Sequence, residues 1–142
     1  MKYSILLSLL LICSTLFSQT EKYTDVYSIH YDVNEEGTLD YMLDLKVDST
    51  FTFHIYRKIS YKNPEENFYG KGTWKVEKEN VIYFYVDIES DIDEKYTLDF
   101  NNTKARYITK SPRDKSDNEV KTHLRFYESE TSWLKGRKLF KN

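Results

Sequence analysis

Three histidines, His30, His54 and His123, are the first candidates for chemistry. A zinc site draws His, Cys or carboxylate ligands at short, regular spacings, and no such partner stands at metal-like spacing beside any of them. Alternation around His54 and His123 sends both outward, so they read as surface histidines, with a shared zinc site as the rival reading. Asp87, Glu89, Asp91 and Asp93 recur at every second position, and Glu94 follows. A calcium loop needs a glycine at its sharp turn and a bidentate acid further on. Neither is in place, so a solvated strand end and loop is expected, with weak calcium binding as the alternative. Gly70-Lys71-Gly72 lacks the spacing of a phosphate loop. No Gly-x-Ser-x-Gly turn and no His-Glu-x-x-His helix occurs. No catalytic residue, metal ligand or cofactor is therefore assigned, and the chain is expected not to be an enzyme. A hydrolase assembled from distant residues stands as the third function class.

Four residues are candidate ligand contacts: Tyr41, Arg57, Tyr83 and Tyr85. Leu39, Tyr41, Leu43, Leu45 and Val47 alternate with polar residues and Met42, as a half-buried strand does. Asp48-Ser49-Thr50 supply turn chemistry, and Phe51, Phe53 and Ile55 alternate beyond it. Pairing Val47 with Phe51 puts Leu45 opposite Phe53 and Leu43 opposite Ile55. Every apolar side chain then shares one face, which a one-residue slip would reverse. The same register sets Arg57 opposite Tyr41 on the inward side. Either Arg57 snorkels to solvent, or it is a cavity-facing cation that meets an anionic group. Trp74 and Trp133, with Tyr83 and Tyr85, would suit a sugar-stacking platform. Core filling is the competing reading for Trp74, flanked in register by Gly72 and Val76.

The elements that must hold these residues are short strands. Residues 60–70 read as a loop around Asn63-Pro64. Gly72, Trp74 and Val76 alternate again, and Glu77–Asn80 form a polar turn. The run from Val81 to Ile88 is apolar on both faces, as in a central, doubly covered strand. Tyr96, Leu98 and Phe100 lead into Asn101-Asn102, a favourable two-residue hairpin turn, and Thr103, Ala105 and Tyr107 return. Asn101-Asn102-Thr103 also matches a glycosylation acceptor, which matters only in a secretory eukaryotic host. Residues 110–119 form a polar loop. Val120, Thr122, Leu124 and Phe126 alternate, and Trp133-Leu134 and Leu139-Phe140 flank Gly136 as a last strand or hairpin. About eight short strands with hairpin turns predict an all-β, antiparallel, up-and-down barrel or half-barrel.

Lys2, the apolar run from Ile5 to Ile12 and a polar Ser18-Gln19 boundary predict a signal peptide over residues 1–18. One domain follows over 19–142. No later apolar run approaches the roughly 20 residues that span a bilayer. The product is expected to be exported: periplasmic, cell-surface or secreted. Cys13 leaves with the signal, or else carries a lipid. A formal net charge of −2 argues against a general nucleic-acid or anionic-membrane binder. Acids crowd residues 25–48, while Lys135, Arg137, Lys138 and Lys141 end the chain without an acid among them. These segments would meet if the first and last strands closed a barrel. A basic rim for an anionic surface or glycan, or unrelated solvated faces, are the alternatives.

Leu45-Lys46-Val47-Asp48-Ser49-Thr50-Phe51-Thr52-Phe53, then Gly72-Thr73-Trp74-Lys75-Val76, then Val81-Ile82-Tyr83-Phe84, form an ordered set. Over residues 38–108 the chain resembles small exported lipocalin-like proteins of Bacteroidetes-type bacteria. The resemblance implies an up-and-down barrel or half-barrel that can hold an apolar cavity, and brings no catalytic residues. Two functions stay open: a binding module for a small apolar or amphipathic ligand, and an envelope interaction protein with a filled core, meeting a protein or glycan.

Overall fold

Alternating side chains become eight antiparallel strands in the computed structural model, which describes residues 20–142. They are β1 (Asp25–Asn34), β2 (Gly37–Leu45), β3 (Thr50–Lys58), β4 (Glu66–Lys78), β5 (Val81–Tyr85), β6 (Thr103–Ile108), β7 (His123–Glu128) and β8 (Lys138–Lys141). Each pairs with the next and β8 returns to β1, so the sheet is a closed barrel, not a half-barrel. The expected signal peptide and Cys13 lie outside the described residues. Among the described residues no helix is long and apolar enough to cross a membrane.

Several expected elements shift. The β2–β3 hairpin pairs Leu45 with Phe51, Leu43 with Phe53 and Tyr41 with Ile55. This is two residues away from the expected register, because the turn takes four residues, Lys46–Ser49. Lys46 N–H donates to the Thr50 carbonyl at 3.0 Å, and Ser49 carries a φ of 66°. A shift of two keeps every face, so Leu43, Leu45, Phe51 and Phe53 are still the buried set. Only Val47 loses its place, exposed in the turn. Arg57 consequently faces Leu39 and not Tyr41.

β1 has no counterpart among the expected strands, although Tyr27, Ile29 and Tyr31 alternate there. Residues 96–100 were expected to pair with β6 and do not. β5, which stops at Tyr85, takes that place, while Tyr96 makes a lone bridge to Tyr69. β5 is not doubly covered, since Tyr85 is exposed. β4 starts at Glu66, inside the expected loop. Trp133-Leu134 lie in turns ahead of β8, not in a strand. Asn102, with φ of 57°, does make the expected turn, closed by Thr103 N–H to the Phe100 carbonyl at 3.1 Å.

At one barrel end lie the start of β1, the C-terminus and the turns after β2, β4 and β6. Tyr23 covers this end, edge-on to Tyr107 at 5.0 Å. The opposite end, the rim, carries the connections after β1, β3, β5 and β7. Between them the interior is aromatic. Phe51, Phe53, Phe84, Phe100 and Phe126 are each buried, in a chain of ring contacts from Phe53–Phe100 at 4.9 Å to Phe84–Phe126 at 5.7 Å. Each such ring contributes about 1.5–3 kcal/mol by leaving water. Trp74 is buried as core, its indole N–H directed at the Lys46 and Thr50 carbonyls at 3.2 and 3.1 Å. It thereby ties the β2–β3 turn to β4.

Candidate functional site

The barrel closes over few residues. β1 and β8 pair only at Tyr27–Lys141 and Ser28–Phe140, whereas β1 and β2 pair all the way to Asn34. Beyond Ser28, β1 has a ladder on one side only. The chain that would flank it there is the β7–β8 connection, which is drawn to β7 instead. Gly136 N–H donates to the Phe126 carbonyl at 2.7 Å, and Phe126 N–H to the Arg137 carbonyl at 2.9 Å. Gly136 makes this possible at a φ of 87°, backbone that a side chain would strain.

The divergence leaves an open groove of about 460 Å³. Ile29 and Tyr31 form one wall. Lys135, Gly136 and Arg137 form the other, and Lys138 and Phe140 of β8 complete it. Trp133 is the floor, its ring tilted over Tyr41 at 5.8 Å and Phe53 at 6.2 Å. Leu134, buried beside it, anchors the segment in the core. Arg137 donates Nε–H to the Trp133 carbonyl at 2.9 Å. Its guanidinium carbon lies 4.4 Å from the Tyr41 ring centroid and 5.4 Å from that of Tyr31, a cation–π arrangement. Burial pushes the Tyr41 phenol above its ordinary pKa, and the Arg137 charge opposes that rise.

Of the four expected ligand contacts, only Tyr41 lies under this groove. Arg57 sits at the rim, bound to Glu66 through Nε at 2.6 Å and placed over Phe68 at 5.6 Å. Its own carboxylate partner therefore takes the role reserved for a ligand. Tyr83 and Tyr85 point outward, opposite in parity to buried Ile82 and Phe84. Lys104 lies over Tyr83 at 5.3 Å and Lys75 over Tyr85 at 4.9 Å, and Tyr85 donates its hydroxyl to Glu77. Of the groove's own residues, the sequence singles out Trp133 for a stacking platform and Lys135, Arg137 and Lys138 for a basic rim, but not Ile29 or Tyr31, and it does not join the two sets. The signal for Ile29 and Tyr31 was present in the alternation of β1.

The remaining candidates resolve into structure. Asp87 and Asp93 cap turns. Glu89 N–H donates to Asp87 at 3.0 Å, and Lys95 and Tyr96 N–H each donate to Asp93 at 2.8 Å. No group of three or more His, Cys or acidic residues among the described residues is placed to hold a metal. His54 is outward and half-buried, stacked on Tyr69 at 4.6 Å. His123, expected at the surface, is only 8% exposed. Phe140 covers it at 5.3 Å, and its Nδ1 meets the Lys121 carbonyl at 2.8 Å. The expected meeting of acidic first and basic last segments is realised at one pair, Asp25–Lys141, at 3.2 Å. Comparison with protein-family models, curated proteins and solved structures finds no match for this chain.

Proposed function

We propose that this chain is an exported, lipocalin-like binding module of the cell envelope that holds a small amphipathic ligand at the barrel rim. The carrying observation is the groove, where an apolar wall and three cationic side chains share about 460 Å³. That volume lies in the range of about 300–1,000 Å³ usual for small-molecule sites. The ligand belongs at the rim because Phe100 and its neighbouring rings occupy the interior. Export rests on the apolar run after Lys2 and the polar boundary at Ser18-Gln19.

The test is native mass spectrometry of the protein from its own envelope, with denaturing extraction of any passenger. A stoichiometric small molecule is expected, lost in Trp133→Ala and retained in Tyr83→Ala. A clean mass that does not shift with added lipids or glycans would overturn the reading.

The packed interior favours a second reading, an envelope interaction protein without a small ligand. It predicts a clean mass together with a co-purifying protein or glycan.

A further inference from the structure

Arg137 lines the groove without a carboxylate partner among the described residues; Lys46, Arg106 and Arg125 likewise have none elsewhere, and Arg137 differs from them in bordering an apolar wall. Arg57, Lys58, Lys71, Lys75, Lys104 and Lys141 each meet a carboxylate. Arg137, Lys135 and Lys138 meet none among the described residues, and no Asp or Glu lines the groove they share. Arg137 is also held in place. Its Nε–H is spent on the Trp133 carbonyl at 2.9 Å, its backbone carbonyl on Phe126 at 2.9 Å, and its plane on two tyrosine rings. A guanidinium has five N–H donors in a rigid fork, and those beyond Nε make no hydrogen bond among the described residues while the side chain lines the groove. A fixed, unneutralised fork beside an apolar wall is suited to a planar or tetrahedral oxyanion.

We infer that the groove selects an amphiphile bearing a carboxylate or a phosphate, with the anion on Arg137 and the apolar body against Ile29, Tyr31 and Trp133. This rests on the binding reading above and adds the headgroup to it. Lys135 and Lys138 flank the anion from more exposed positions, so their part is long-range and weakened by salt. The outer tyrosines offer no equal site, because Lys75–Glu77 and Lys104–Glu128 neutralise that face internally.

The experiment is calorimetric titration of the purified protein with four decyl amphiphiles below their micelle-forming concentrations. They are decanoate, decyl phosphate, decyl maltoside and decyltrimethylammonium. At least one anionic probe is expected to bind about 10- to 100-fold more tightly than the maltoside, the ratio that a charge-assisted hydrogen bond supports. The tighter of the two anions names the headgroup. Arg137→Gln lowers the ratio of anionic-probe to maltoside affinity toward one, whatever it does to binding in general, while Arg137→Lys keeps part of that ratio. Equal binding of anionic and neutral probes overturns the inference and leaves the binding reading standing. Binding of no probe overturns both. An anionic preference that survives Arg137→Gln overturns the role of Arg137. Should Arg137→Gln fail to fold, the wild-type ranking and Arg137→Lys decide.

Discussion

Phe100 occupies the space that Gly70 leaves: a Cβ built on Gly70 would lie 2.8 Å from the Phe100 ring. The ring belongs to the long β5–β6 connection, yet it fills the barrel between Phe51, Phe53 and Phe84. Glycine on β4 and a loop phenylalanine thus make one joint. Phe100→Ala is expected to cost about 3–5 kcal/mol through lost transfer and an unfilled cavity. Gly70→Ala should cost about 1–3 kcal/mol by forcing the ring aside. Chemical denaturation of both variants measures these losses. In the double variant the two costs should fall short of their sum, since the residues touch. Strict additivity would show that they do not form one packing unit.

His30 gives the chain a mild pH dependence. Its pKa is raised from 6.5, first by the hydrogen bond to Asp40 and then by that to Asp32. The protonated ring is therefore better held in the folded chain than in the unfolded one. Its contribution is fully present below pH 6.5 and is lost as pH climbs through the raised folded value. The ring is largely exposed, so the effect is small. Thermal midpoints of wild type relative to His30→Gln should be higher on the acidic side of that window and converge on the alkaline side. A difference that grows with pH would reverse the assignment.

Arg57 and Glu66 form a well-shaped pair that contributes little to stability. Their side chains are 43% and 39% exposed, and exposed pairs yield about 0–1 kcal/mol. A double-mutant cycle with Arg57→Ala and Glu66→Ala should give a coupling in that range that shrinks with salt. The Glu66 carboxyl, held below its ordinary pKa by the Arg57 hydrogen bond, should titrate upward in Arg57→Ala by NMR. A coupling of several kcal/mol would mean the pair is far drier than its exposure indicates.

The barrel was legible in the sequence because side-chain parity survives errors in register. The β2–β3 pairing moved by two residues and still buried Leu43, Leu45, Phe51 and Phe53, since two is the period of a strand. The strand number was legible for a less secure reason. β1 was overlooked among its acids, and residues 96–100, which alternate like a strand, took its place in the reckoning. That segment makes no ladder: Thr97 and Leu98 N–H donate to the Tyr69 carbonyl at 3.0 and 3.1 Å, and Phe100 turns into the barrel against Gly70. The site was less legible. Alternation placed a cation against Tyr41 and named Arg57, but the residue found there is Arg137, from the other end of the chain. Nothing local to Tyr41 encodes that approach. It depends on barrel closure, on Gly136 turning the backbone, and on Glu66 having already claimed Arg57.

Closure also decides which way the molecule faces. Asn142 N–H donates to the Val26 carbonyl at 3.0 Å, so the two ends of the barrel chain emerge side by side, away from the rim loops. A tether at either end holds the barrel like a cup by its base. The groove residues Tyr31 and Trp133 lie toward the other end, since Tyr31 is on the rim half of β1 and Trp133 in the β7–β8 connection. A partner fused at either end of residues 20–142 would therefore start on the side away from the rim loops.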